Sequence, residues 1–353
     1  MYKQFIQLVR LGIGHRADIF IKELDWKNIN ALAERQGLSA IIVDGVEKLP
    51  EQQRPVKDEL LQMIGQVVQG YEYRYELYRR AIAELAGFYR EHGINMMILK
   101  GYACSIDWPK PEHRPCGDID IWLFGKQKDG DSLLEKKKGI RVDKTHHHHT
   151  FFYWWDFMVE NHYDFVNVYA HKSSAELEKV FKELGSDDSH YVDVYSERVY
   201  LPSPNLHALF LVKHMASHFA SSEISLRQVL DWAFFVEKHK NDVDWVWLTG
   251  ALEKYGMKDF FNLINAICAD DLGFSSEFFP EVHFLPDLKE RVLNDILDPV
   301  YVTEEPNSLL PRLLYKLKRW QGNAWKQRLC YDESRWESFW TGLRAHIIKP
   351  TIA

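Results

Sequence analysis

The chain has 353 residues, 46% of them apolar and 27% charged, with a formal net charge of −7 at pH 7. This is an ordinary globular composition, with length enough for two or three domains. The acidic balance argues against a nucleic-acid binder that uses its whole surface, and no run of about 18 apolar residues exists to span a membrane.

The first region, residues 1–93, reads as mostly helical. Asp25-Trp26 opens an amphipathic stretch, with Ile29, Leu32, Ala33 and Leu38 at helical spacing. A second long stretch runs from Val56 to His92 and ends at Gly93, a suitable C-cap. The second region, 94–202, reads as an α/β core. Ile94–Leu99 is a short apolar run suited to a buried strand, and Gly101–Trp108 offers one or two helical turns before Pro109 and Pro111. Ile119–Phe124 is the next strand. The charged segment Lys126–Lys144 reads as a loop or a short exposed helix. Residues 150–168 are rich in aromatic and β-branched residues and read as one or two strands. Ser173–Leu184 is an amphipathic helix closed by Gly185. The third region, 203–353, is helical, with helices over about 204–220 and 224–240.

Within the core, Gly117-Asp118-Ile119-Asp120-Ile121 carries the most chemistry. Strand alternation puts Asp118 and Asp120 on one face and the isoleucines on the other. At ~4 Å two carboxylates repel by roughly 4 kcal/mol at an effective dielectric of about 20. A Mg²⁺ ion relieves that repulsion, being a hard cation that favours a few carboxylates plus substrate phosphates. Gly117 leaves the backbone before the pair uncrowded.

The order of motifs is a strand ending Ile98-Leu99-Lys100-Gly101, then Arg114, then Gly-Asp-Ile-Asp at 117–120, then Glu160-Asn161-His162. This order resembles the polymerase-beta-like nucleotidyltransferase superfamily. Within it, the chain resembles a poorly characterised bacterial nucleotidyltransferase family. The likeness extends to the Asp25-Trp26 helix and to His214, His218, Arg227 and Asp231. The superfamily usually has Gly-Ser or Gly-Gly where this chain has Lys100-Gly101. The resemblance implies an α+β fold, a small mixed β-sheet core flanked by N-terminal and C-terminal helical lobes. It implies an enzyme that moves NMP from an NTP to a hydroxyl acceptor and releases pyrophosphate, with Mg²⁺ or Mn²⁺ as cofactor. Asp118, Asp120 and Glu160 would be both the catalytic residues and the metal ligands.

Several residues then acquire candidate roles. Glu160 is the third acid or a general base, with Asp164 on the same strand face as the fallback. His162 either contacts the nucleotide or orients Glu160. Lys100 and Gly101 stand where a strand meets a helix N-terminus, which attracts phosphate. Arg114 either clamps phosphate or neutralises the acids. His214 and Arg227 are candidates for the nucleotide. Arg227 and Asp231 are spaced i,i+4 and suited to pair, and a polar network locking two helices together is the plainer reading of Asp231. His146–His149 reads as a loop or strand start with incidental metal affinity. The region 309–349 is basic and Trp-rich, and most simply an amphipathic helix with a solvated basic side.

Cys104, Cys116, Cys268 and Cys330 are scattered, which speaks for reduced thiols rather than a disulfide or zinc frame. Residues Met1 to Arg16 lack a basic start followed by an apolar core, so no signal peptide is expected and the cytoplasm is the expected compartment. The expected partners are an NTP and an acceptor of small-molecule or protein character. Nucleic acid is not favoured. Two other functions fit the motifs less well: a D-x-D glycosyltransferase, and a catalytically degenerate module that binds a protein or RNA.

Overall fold

The computed structural model describes residues 1–17, 24–146, 148–280, 284–302, 306, 308–334, 336–337 and 340. In the N-terminal part come helices α1 (Tyr2–Gly12), α2 (Trp26–Gln36), α3 (Ser39–Glu47), α4 (Lys57–Val67) and α5 (Arg74–Glu91). Strand β1 (Met97–Ile98), the single turn α6 (Tyr102–Ser105) and strand β2 (Ile119–Trp122) follow. Then come α7 (Gln127–Leu133), β3 (His149–Trp154), β4 (Phe157–His162), α8 (Ser174–Leu184), β5 (Tyr191–Val194) and β6 (Glu197–Tyr200). The remainder is helical: α9 (Pro204–Ser221), α10 (Leu226–His239), α11 (Trp245–Lys254), α12 (Lys258–Ala266), α13 (Pro286–Leu297), α14 (Leu309–Gly322) and α15 (Ala324–Cys330). The α+β class and the mixed sheet expected from the sequence are what the structure contains.

The chain divides into two units. The first comprises Met1–Tyr73, Asp107–Pro115 and Leu211–Asp332; the second comprises Arg74–Ile106, Cys116–Phe210 and Glu333–Ala353. The first unit is helical. Asp25 caps α2 by accepting from the backbone N–H of Asn28 at 3.1 Å. Helices α1 and α3 cross at two glycines: a Cβ on Gly12 would lie 2.1 Å from the Ile41 carbonyl oxygen, and one on Gly45 2.4 Å from that of Leu8. The segment 107–115 is tied to this unit by buried polar contacts. Asp231 on α10 accepts from Trp108 Nε1 at 2.9 Å and from Arg114 Nε and Nη2 at 2.7 and 2.9 Å. Asp44 on α3 takes Lys110 and His113, and His113 also meets Glu72 at 3.2 Å.

The second unit holds the sheet, whose strand order is β3-β4-β2-β1-β6-β5. The pairs β2–β4 and β1–β6 are parallel and the others antiparallel. Ile98, Ile119, Ile121, Phe152 and Val159 are buried against Tyr78, Ile82, Leu85 and Tyr89 of α5. Tyr78 also donates its hydroxyl to the Asp118 carbonyl at 2.8 Å, which pins the entry to β2.

The elements differ from the sequence reading in three places. Strand β1 covers only Met97–Ile98 of the run 94–99, although the Leu99 N–H still bonds the Asp120 carbonyl at 3.0 Å. The charged segment 126–144 contains α7, and one face of it is buried rather than exposed. Gly130 packs so closely that a Cβ there would lie 2.3 Å from Leu123 Cδ1, and Asp131 and Leu134 are enclosed. Strands β5 and β6 were not foreseen. Their turn is Tyr195-Ser196, both at positive φ (48° and 69°), where such turns normally carry Asn or Gly.

Candidate active site

Strands β2 and β4 pair in parallel with Asp120 opposite Glu160, so both carboxylates emerge on one face as cross-strand neighbours. His162 is two residues beyond Glu160 and shares that face. Its Nε2 lies 3.0 Å from Asp120 Oδ1 and 3.5 Å from Glu160 Oε2. Ligand atoms of Asp120, Glu160 and His162 all fall within 4.8 Å of one another. Lys100, just past β1, reaches the same Asp120 oxygen with Nζ at 2.7 Å. From β3, His149 pairs across the ladder with His162 and brings Nε2 to 4.0 Å from Glu160 Oε1.

The charges of these groups follow from their contacts. Burial would raise Asp120, but Lys100 and His162 outweigh it and hold the carboxyl well below its usual range. Burial disfavours the His162 imidazolium, but the bonds to Asp120 and Glu160 win and raise it to about 9. Lys100 is likewise raised: Asp120 and Asp118 overcome the cost of its burial. Glu160 is lowered, with the His162 bond prevailing over burial. Asp118 is raised by burial and by the charge of Asp120. His149 is pushed down by burial to about 4, so it is neutral with a free lone pair at neutral pH.

The sequence candidates therefore sort into groups. Asp120, Glu160, His162 and Lys100 converge. Asp118 precedes β2 and stands outside the set within 4.8 Å, close enough for its charge to act on Lys100 and Asp120. Gly117 is exposed, and a Cβ there would meet nothing within 4 Å. Gly101 is required by packing: its φ is +56°, and a Cβ would lie 2.3 Å from the Tyr78 hydroxyl. Helix α6, which follows it, is a single turn with little dipole to offer a phosphate, so that expectation reduces to the charge of Lys100. Asp164 is bonded to Lys182 at 2.5 Å and lies beyond the end of β4, whereas Glu160 stands in the cluster with Asp120 and His162.

Arg114, His214 and Arg227 belong to the first unit. The Arg114 guanidinium forms the buried bidentate pair with Asp231. Asp231 thereby joins a buried polar network with Trp108 and Arg114. The His214 and His218 rings lie 4.4 Å apart, edge to face.

Two features escaped the sequence reading. One is the place of His149, the last of the four-His run, beside Glu160, which depends on the β3–β4 register. The other is Asp131, enclosed behind the same strands. It accepts from Thr150 Oγ1 at 3.0 Å, Asn161 Nδ2 at 2.8 Å and the Tyr163 hydroxyl at 2.5 Å. Asn161 alternates with Glu160 and His162, so this network fastens α7 to the back of the strand whose front carries the cluster.

Asp120 and Glu160 are the carboxylates of this cluster that could hold a divalent cation, a hard ion that takes oxygen ligands. Residues 22–273 match the model of a family described as uncharacterised nucleotidyltransferase. The chain belongs to this family. No curated protein matches this nucleotidyltransferase-family chain. It is similar to a crystal structure of an antigenic nucleotidyltransferase-like protein from Paracoccidioides brasiliensis, at 13% identity and a TM-score of 0.37. That similarity covers 56% of this chain and 92% of the other.

Proposed function

We propose that this family member is a metal-dependent nucleotidyltransferase that moves NMP from an NTP to a hydroxyl acceptor and releases pyrophosphate. The observation that carries the reading is the convergence of Asp120, Glu160 and His162 within 4.8 Å, with Lys100 at the rim. Asp120 and Glu160, with Asp118 beside them, would hold Mg²⁺ or Mn²⁺. When bound, the ion would offset negative charge on the triphosphate and the attacking oxygen. Lys100 has its ammonium positioned to turn from Asp120 to a β- or γ-phosphate oxygen. Glu160 would accept the acceptor's hydroxyl proton. His162 holds both carboxylates in register through its two bonds.

The test is pyrophosphate release from each of the four NTPs with Mg²⁺ or Mn²⁺, run beside Asp120→Ala and Lys100→Ala. Release should disappear in Asp120→Ala and fall by about a hundredfold or more in Lys100→Ala, as on removing one preorganised charge partner from developing oxyanions. NTP binding is measured by calorimetry on the same samples. Release that survives Asp120→Ala rejects the reading.

One observation favours a second reading, a catalytically degenerate module that binds a partner. Lys100 already supplies Asp120 with a cation from within the chain. Tight NTP binding without turnover, together with a stable copurifying partner, would select it.

A further inference from the structure

The acid cluster is the middle of a longer row. Reading across the sheet, the strands come in the order β1, β2, β4, β3. Lys100 just past β1, Asp120, Glu160 and Phe151 follow in that order, because Asp120 pairs with Glu160 and Glu160 with Phe151. Directly paired residues share a face. Phe151 therefore stands two strand spacings from Asp120, about 10 Å, on the side away from Lys100. Strand alternation adds Tyr153 to this face, with Met158 paired across from it. Tyr153 is 62% exposed, and Phe151 and Met158 are half-buried. Phe152, Trp154, Phe157 and Val159 take the other face, in the core. His146 sets its ring 5.9 Å from that of Phe151 and stacks on His149 at 4.8 Å. The rings of His146, Phe151 and Tyr153 form a shelf beside Glu160.

We propose that this shelf holds the acceptor of the transferred NMP, and that the acceptor bears its hydroxyl on or beside a neutral aromatic ring. The inference rests on the nucleotidyltransferase reading above, which puts the phosphates at Lys100 and gives the acceptor's proton to Glu160. With the triphosphate on the Lys100 side of the row, the place beyond Glu160 falls to the acceptor. In the transfer the acceptor oxygen bonds the α-phosphorus, the bond from that phosphorus to the departing pyrophosphate oxygen breaks, and the hydroxyl proton passes to Glu160. A flat ring suits the shelf, because stacked or edge-on contact with Phe151 and Tyr153 gives affinity without a hydrogen-bond pattern, and Met158 adapts to the ring's outline. The row ends at Asp143, which bridges to Phe151 from outside, so the shelf lies between two carboxylates and disfavours a polyanion. The same bridge engages the outward N–H and C=O of Phe151, at 3.1 and 2.8 Å, so an added β-strand finds the sheet edge closed there.

The probes are naphthylethanol, a flat ring with a single hydroxyl, and its ring-saturated analogue, which keeps the hydroxyl and loses the planarity. Saturation-transfer NMR titrates each against the full chain without NTP, so ring binding is read apart from turnover. Naphthylethanol should bind at least about fivefold more tightly than the analogue, and Tyr153→Ser and Phe151→Leu should each weaken it about fivefold. Tyr153 is exposed, so Tyr153→Ser should keep the melting temperature followed by circular dichroism and carries the test even if Phe151→Leu unfolds. Calorimetry should find the wild-type NTP affinity in Tyr153→Ser. Naphthylethanol, and not the analogue, should raise pyrophosphate release by wild type. The proposal is overturned by equal affinity for the two probes, by no binding of either, or by a Tyr153→Ser chain that binds naphthylethanol like wild type. A loss of NTP affinity in Tyr153→Ser also overturns it, because the NTP base would then occupy the shelf, as does a dimer in light scattering that this substitution dissolves. Asp120-dependent release that naphthylethanol does not raise sinks the acceptor assignment alone. Ring binding with no release from any NTP sinks the transfer reading and this acceptor with it.

Discussion

His162 is the residue whose ionisation reports most directly on the acid cluster. A buried imidazole is normally pushed down from 6.5, yet here the bonds to Asp120 and Glu160 raise it to about 9. The folded value is the higher one, so the imidazolium's contribution to stability is fully present below 6.5 and is lost as pH rises through about 9. NMR titration of the His162 ring in metal-free protein should therefore give a midpoint near 9. In Asp120→Asn that midpoint should fall, because the stronger of the two acceptors has lost its charge. A wild-type midpoint at or below 6.5 would mean that burial dominates and the carboxylates are not where the geometry puts them. His149 serves as the internal contrast. Burial takes it to about 4, so it should show no titration between pH 5 and 8.

At the scale of elements, the motif-bearing strands were readable and their partners were not. The run Gly117–Asp120 announces a strand edge with carboxylates, and Glu160 falls on a strand with alternating burial, because both patterns are local. Arg114 shows where local reading ends. Its place before Gly-Asp-Ile-Asp suggests the acid cluster, but its partner Asp231 is 117 residues away and no spacing rule connects them. Asp131 escaped for a related reason. It sits in a charged stretch that looks solvated, and it is enclosed only because Thr150, Asn161 and Tyr163 come from the strand pair packed over it. The Arg114 assignment has a measurable consequence. Arg114→Ala strips Asp231 of its buried counter-charge, so it should cost about 3–5 kcal/mol of unfolding free energy. NTP affinity, measured below the melting transition, should change little. A loss of NTP affinity with unchanged denaturation would return Arg114 to the role of phosphate clamp.

At the scale of the whole molecule, the four cysteines sample both units. Cys104 and Cys116 lie in the second unit, and Cys268 and Cys330 in the first. All four are free thiols; three are buried and Cys116 is half-buried. Burial pushes the Cys268 and Cys330 thiols far up, which removes the thiolate that alkylating and disulfide reagents require. For Cys268 and Cys330, access and thiolate fraction therefore point the same way. In native protein Cys116 should react with an aromatic disulfide reagent well before the other three, and all four should react once the chain is unfolded in denaturant. Prior reduction should leave the total unchanged, because no disulfide is present to open. Mass mapping then assigns each labelled site. Early labelling of Cys104 would mean that the sheet unit opens around α6, the turn that follows Lys100 and Gly101. Early labelling of Cys268 or Cys330 would mean that the helical unit is the looser of the two. Either outcome would contradict the burial that the packing of both units imposes.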